Sequence, residues 1–195
     1  MILSDREIQK AIKLGRIEID PAPKSSQYTS SALDLTLSGN FFKWKPESKM
    51  QSGPPGLHQT TFIDPSKIKS PAELFHGGLE EIEPDGNGCY LIKPKEFVLS
   101  ETRERIVLPL DIAARVEGRS TLARCGLIIH MTAPVIHAGF RGVIVLEICN
   151  FGEHPIKLVP GLSYCQVVFE VVRGKTSGPP KTSYLDQKYA GKKKS

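Results

Sequence analysis

Apolar and polar residues alternate with a period of two along most of this 195-residue chain, in short runs. Leu33, Leu35 and Leu37 are separated by polar residues, which predicts a half-buried strand over 31–39. Asp34 falls on its polar face and reads as a solvated position. Phe41, Phe42 and Trp44 continue as strand. After Gly88, strand-like runs return about every ten residues. They fall at 89–92, 96–99, 105–107, 113–117, 127–130, 134–136, 142–150, 156–158 and 163–172, with turn signals such as Leu108-Pro109 and Pro160-Gly161 between them. Many short strands with little helix predict an all-β sandwich or barrel.

Three stretches break this rhythm. Ser4 followed by Glu7 is a capping-box pattern, and Ile8, Ala11 and Ile12 supply an apolar face, so a short helix is expected over 5–14. Residues 119–125 lack alternation and precede Gly126, which predicts a single helical turn. Residues 46–88 are rich in Pro, Gly, Ser and Lys and read as a loop-rich insertion with a helical turn over 72–75. The chain thus divides into one domain over 1–173, carrying that insertion, and a flexible tail over 174–195.

Composition narrows the class. Charged residues make up 24% and apolar residues 39%, as in ordinary soluble domains. No run approaches the ~20 apolar residues that span a bilayer. Acidic residues stand where a signal peptide needs an apolar core, so a cytoplasmic protein is expected. The net charge is +5, and Lys192, Lys193 and Lys194 carry three of those charges, which leaves no nucleic-acid footprint on the body. Cys89, Cys125, Cys149 and Cys165 are widely spaced and read as reduced core residues. His58 and His76 read as surface histidines.

The chemistry gathers between Val116 and Asn150. Arg119, Ser120, Thr121 and Arg124 put two guanidinium forks and two hydroxyls within six residues, a composition suited to phosphate oxygens. Downstream, Glu147 sits among Val143, Ile144, Val145, Leu146, Ile148 and Cys149. A carboxyl in such company needs a partner or a task. The H-x-E and P-C-x-x-C pattern of zinc deaminases does not occur, so no catalytic zinc is expected.

Arg119-Ser-Thr-Leu-Ala-Arg-Cys-Gly-Leu, His130-x-Thr-Ala, Ile136-x-x-Gly-Phe-x-Gly and Leu146-Glu147 together resemble the core signature of the dCTP deaminases, relatives of the trimeric dUTPases. The resemblance runs from Met1 to about Glu170, with a weaker echo in the tail. It implies a dUTPase-like distorted β-barrel or sandwich and a homotrimer with shared active sites. It implies a metal-free deamination of dCTP to dUTP and ammonia, the substrate bringing Mg²⁺ on its triphosphate. On the same resemblance Glu147, Arg124 and Ser120 are the catalytic candidates. Arg119, Ser120 and Thr121 hold the triphosphate, Thr132 and Ala133 hold the attacking water, and Ile136, His137 and Phe140 face the sugar. Gln166, Lys188 and Tyr189 complete the substrate contacts, the last two on a candidate lid. His130 reads as a hydrogen-bonded core histidine.

Two departures matter. The superfamily usually carries aspartate where this chain has His137. In dUTPases that aspartate activates the hydrolytic water, so its loss argues for a deaminase that stops at dUTP. The alternatives are a dUTPase, a bifunctional dUMP-forming deaminase, and a non-catalytic nucleotide-binding regulator. The lid motif also departs, reading Gln187-Lys-Tyr-Ala-Gly.

Overall fold

The computed structural model describes residues 1–46, 78–174 and 176–180. The expected turn over 72–75, His58, His76, Gln187, Lys188 and Tyr189 lie outside the described residues.

Helix α1 (Asp5–Lys13) opens on the expected capping box, in which Ser4 Oγ accepts from Glu7 N–H and Glu7 Oε2 accepts from Ser4 N–H. It buries Ile8 and Ala11. The strands follow as β1 (Glu18–Asp20), β2 (Leu33–Thr36), β3 (Phe41–Trp44), β4 (Leu79–Ile82), β5 (Tyr90–Ile92) and β6 (Phe97–Val107). After β7 (Ile112–Gly118) comes the helical turn α2 (Ser120–Ala123). The chain then runs through β8 (Leu127–Ile128), β9 (Val135–Ile136), β10 (Arg141–Asn150), β11 (Ile156–Leu158) and β12 (Ser163–Val171).

The mainly-β expectation holds. A six-stranded sheet runs β4–β3–β6–β10–β8, with β1 also on β6, and a four-stranded sheet runs β2–β12–β7–β9. Strands β5 and β11 form a separate pair. The core is apolar and mostly aliphatic: Leu33, Leu35, Leu37, Ile106, Leu146, Ile148 and Val167 are buried, together with Phe169. Among the described residues no helix is long and apolar enough to cross a membrane.

Four local expectations need correction. The runs at 96–99 and 105–107 belong to one strand, β6, because its polar middle, apart from the exposed Arg103, is buried and satisfied. Ser100 Oγ donates to Asn40 O, Asn40 Nδ2 donates to Glu101 Oε1, and Ile144 N–H donates to Thr102 Oγ1. Glu104 accepts from Thr36 N–H and Oγ1 at 2.8 Å each and from Gln27 Nε2 at 3.1 Å. A buried carboxylate with three donors needs no loop to reach water. Second, β4 falls inside the stretch read as insertion and pairs with β3 from Phe41↔Ile82 to Trp44↔Leu79. Third, Asp34 is buried rather than solvated, since β2 is covered on both faces. Fourth, Cys125 is exposed, whereas Cys89, Cys149 and Cys165 are buried and free as expected.

Candidate active site

Strand β10 alternates from Arg141 to Ile148. Ile144, Leu146 and Ile148 point into the core, while Val143, Val145 and Glu147 are half-buried on the other face. That second face forms one wall of a cavity of about 500 Å³, within the usual range for small-molecule sites. Glu147 is the only carboxylate among its described lining residues. The side chain is held from one flank, where Met131 N–H donates to Glu147 Oε2 at 3.4 Å.

His130 also lines the cavity. Its Nε2 lies 3.8 Å from Glu117 Oε2, while its Nδ1 is buried with no hydrogen-bond partner among the described residues. The expectation of a hydrogen-bonded core histidine is therefore met on neither count: the ring is half-buried at a cavity, and one nitrogen is unpaired.

Residues 136–142 form a turn between the two sheets and not the hairpin that the Ile136-x-x-Gly-Phe-x-Gly run suggests, because β9 pairs with β7 whereas β10 pairs with β6 and β8. Phe140 N–H donates to His137 O at 3.1 Å to close the turn, and Gly139 takes φ +82°, a conformation that costs glycine little. Ala133, Ile136, His137 and Phe140 all reach the cavity, so the structure brings these four together with Glu147. Thr132 is exposed and does not line it. The start of the tail packs against the body, with Thr176 Oγ1 donating to Leu110 O at 3.2 Å, and Pro180 reaches the cavity wall.

The phosphate-binding candidates form a separate group. Arg119 is the N-cap of α2, and Ser120, Thr121 and Arg124 are exposed on that turn. Gly126 ends it at φ +86°, where any Cβ would collide with the Gly152 backbone. Arg119 Nη1 lies 2.7 Å from Asp34 Oδ2. Burial pushes the Asp34 carboxyl up from its ordinary value, and the Arg119 guanidinium pulls against that. Gln166 stands opposite both Asp34 and Glu117 across the four-stranded sheet, and its Nε2 donates to Gly118 O at 3.5 Å. Within one chain none of Arg119, Ser120, Thr121, Arg124 and Gln166 lines the cavity around Glu147.

Sequence reasoning missed Trp44, Phe97, Leu99 and Val145, which form much of the cavity's apolar wall. No local signal marks them, because they are ordinary strand hydrophobics whose role comes from sheet order.

The fold is mainly β, and its cavity sets one carboxylate, Glu147, in a largely apolar wall. Comparison with known proteins gives the family. Residues 2–172 match the family described as dCTP deaminase-like. The dUMP-forming dCTP deaminase of Methanosphaera stadtmanae is 38% identical over 192 residues, covering 97% of this chain and 89% of that protein. The dCTP deaminase of Rhodospirillum rubrum is 36% identical over 193 residues, covering 96% and 93%. The crystal structure of 2'-deoxycytidine 5'-triphosphate deaminase from Agrobacterium tumefaciens matches with a TM-score of 0.64 at 19% identity. It covers 88% of this chain, which spans about half (48%) of that one, and the likeness speaks for the fold. This chain belongs to the dCTP deaminase-like family.

Proposed function

We propose that this chain hydrolytically deaminates dCTP, with Glu147 as the proton-relaying group. The observation that carries this reading is the lone carboxylate in an apolar cavity wall, steadied by Met131 N–H. Water attacks C4 of cytosine, N3 takes a proton, and the amine leaves as ammonia after protonation. One carboxyl beside C4 and N3 can serve each transfer in turn. Phe140 and His137 face the deoxyribose, and the backbone at Thr132 and Ala133 positions the water.

The triphosphate, with its Mg²⁺, is held by Arg119, Ser120 and Thr121, and Arg124 stands beside the attacking water. Because these groups do not line the cavity of their own chain, the site is completed by a neighbouring subunit in a homotrimer. Gln166 supports the Arg119 end. Lys188 and Tyr189 close over the phosphates from the tail, whose approach to the cavity at Pro180 is compatible with that role.

For the final product the relatives favour dUMP over the dUTP expected from the sequence. The dUMP-forming enzymes of Methanosphaera stadtmanae and Methanothermobacter thermautotrophicus are 38% and 39% identical to this chain. On this reading the same site then hydrolyses the α–β phosphate bond, releasing pyrophosphate. The second reading, release of dUTP, is favoured by His137, which stands at the cavity where the superfamily usually places aspartate.

The deciding experiment incubates the protein with dCTP and Mg²⁺ and separates products by anion exchange while assaying ammonia. A dUMP peak with matching ammonia and pyrophosphate supports the first reading, and a dUTP peak supports the second. Nucleotide binding without product would reassign the chain as a regulator.

A further inference from the structure

The cavity has two chemically different flanks on either side of Glu147. Strand order places β8 on one side of β10, and β6 then β3 on the other. On the β8 side stand the Met131 N–H, His130 with its unpaired buried Nδ1, and Ala133. On the β6 side the residue directly opposite Glu147 is Leu99, which in turn lies opposite Phe42. Phe97 and Trp44, each two residues away along its strand, share that face and reach the cavity with Leu99. Leu99 also belongs to a small apolar cluster, against which Trp44, Phe97 and Val145 pack. One flank is polar, and the other is apolar apart from the Trp44 indole N–H.

A cytosine ring has the same asymmetry. Its O2 and N3 edge is polar, its C5 and C6 edge carries only hydrogen, and C4 lies between N3 and C5. With C4 and N3 at Glu147, the polar edge matches the Met131 flank. C5 then faces Leu99 and Trp44. The reverse orientation would set O2 and N3 against Leu99 and Phe97, with the Trp44 indole N–H as the one donor on that flank for two acceptors, which is costly.

We infer that the Trp44–Phe97–Leu99 flank is a subsite for an apolar substituent on C5. The enzyme therefore accepts 5-alkylated deoxycytidine triphosphates, of which 5-methyl-dCTP is the smallest. This inference rests on the deaminase reading of Glu147. The step is the same hydrolysis: water adds at C4, the C4–N bond breaks, ammonia leaves, and 5-methyl-dCTP becomes thymidine triphosphate with no change of oxidation state.

The test compares kcat/KM for dCTP and 5-methyl-dCTP on the full-length protein with Mg²⁺, following ammonia release. The expected ratio is within about tenfold, because a pocket with no room for a methyl group discriminates by roughly 10–200-fold. In Leu99→Phe, which fills the flank, the ratio should move a further tenfold or more against the methylated substrate, whatever happens to the absolute rates. Conversion of dCTP with 5-methyl-dCTP more than tenfold poorer in the wild-type enzyme would overturn the subsite and leave the deaminase reading standing. So would a Leu99→Phe variant that slows both substrates equally. Should Leu99→Phe fail to fold, the wild-type ratio decides alone. Failure to deaminate either nucleotide would remove the deaminase reading and this inference with it.

Discussion

Arg119 Nη1 and Asp34 Oδ2 lie 2.7 Å apart, and the two residues come from strands and turns more than eighty positions apart in sequence. Asp34 is 5% exposed, whereas the Arg119 side chain is 38% exposed. The pair is therefore a buried anchor holding an arginine whose side chain is still partly exposed. A guanidinium held in this way loses less freedom when it binds phosphate. Asp34→Asn should raise the KM for dCTP by about tenfold, corresponding to ~1.4 kcal/mol, with a smaller effect on kcat. In an Arg119→Ala background the same change should have little further effect, and steady-state kinetics on the double-mutant cycle checks the coupling.

The same carboxyl makes a prediction about pH. Burial raises Asp34 above its ordinary value, with Arg119 opposing. The folded state therefore binds this proton more tightly than the unfolded chain does. Its contribution to stability is fully present below the unfolded pKa and is lost as pH rises through the folded one. Asp34→Asn removes the titration. The stability of the wild type relative to Asp34→Asn should accordingly increase as pH falls from ~7 to ~3.5. Urea denaturation of both proteins across that range is the check, and a difference that shrinks towards acid would contradict the assignment.

Glu147→Gln keeps the side chain's size and its ability to accept from Met131 N–H, but cannot relay protons. Deamination should fall by about 10²–10⁴-fold, the usual scale for a general acid–base group. Nucleotide binding and the thermal midpoint should change little, because the carboxyl is half-buried at a cavity wall and its hydrogen bond to Met131 N–H is long. Unchanged turnover would remove Glu147 from the chemistry.

Much of this arrangement is legible in the chain. The alternation in β10 already separates Val143, Val145 and Glu147 from Ile144, Leu146 and Ile148, and the capping box at Ser4 and Glu7 marks α1. What was hidden depends on partners far away in sequence. The polar stretch of β6 looks like a loop until Asn40, Thr36 and Gln27 are seen to satisfy it. Asp34 looks solvated because alternation reports one covered face, whereas β2 has two. Trp44 and Leu99 carry no functional pattern at all. They become site residues only because β3 and β6 lie next to β10.

Assembly gives the next prediction. Arg124 is exposed on α2 and does not line the cavity of its own chain. If it serves a neighbouring site, Arg124→Ala should abolish turnover while size-exclusion chromatography still reports a trimer. Mixing Arg124→Ala with Glu147→Gln chains should then restore part of the activity, because some sites receive both intact groups. No recovery after verified subunit exchange would mean that the two residues act within one chain.

The last prediction concerns the end of α2. Gly126 adopts φ +86°, and a Cβ there would run into Gly152 N and Cα and the Phe151 carbonyl carbon, all of which are backbone. Phe151 N–H also donates to Gly126 O at 2.8 Å, so the two segments are pinned together and neither can swing aside. A side chain at this position meets both the left-handed backbone penalty and an immovable neighbour. Gly126→Ala should destabilise the fold by about 1–3 kcal/mol. Because Gly126 ends the turn that carries Arg119, Ser120, Thr121 and Arg124, the surviving folded fraction should also bind dCTP more weakly. Chemical denaturation together with the dCTP KM separates the two effects. A variant with wild-type stability would show that the approach of Gly152 to this turn is not maintained in solution.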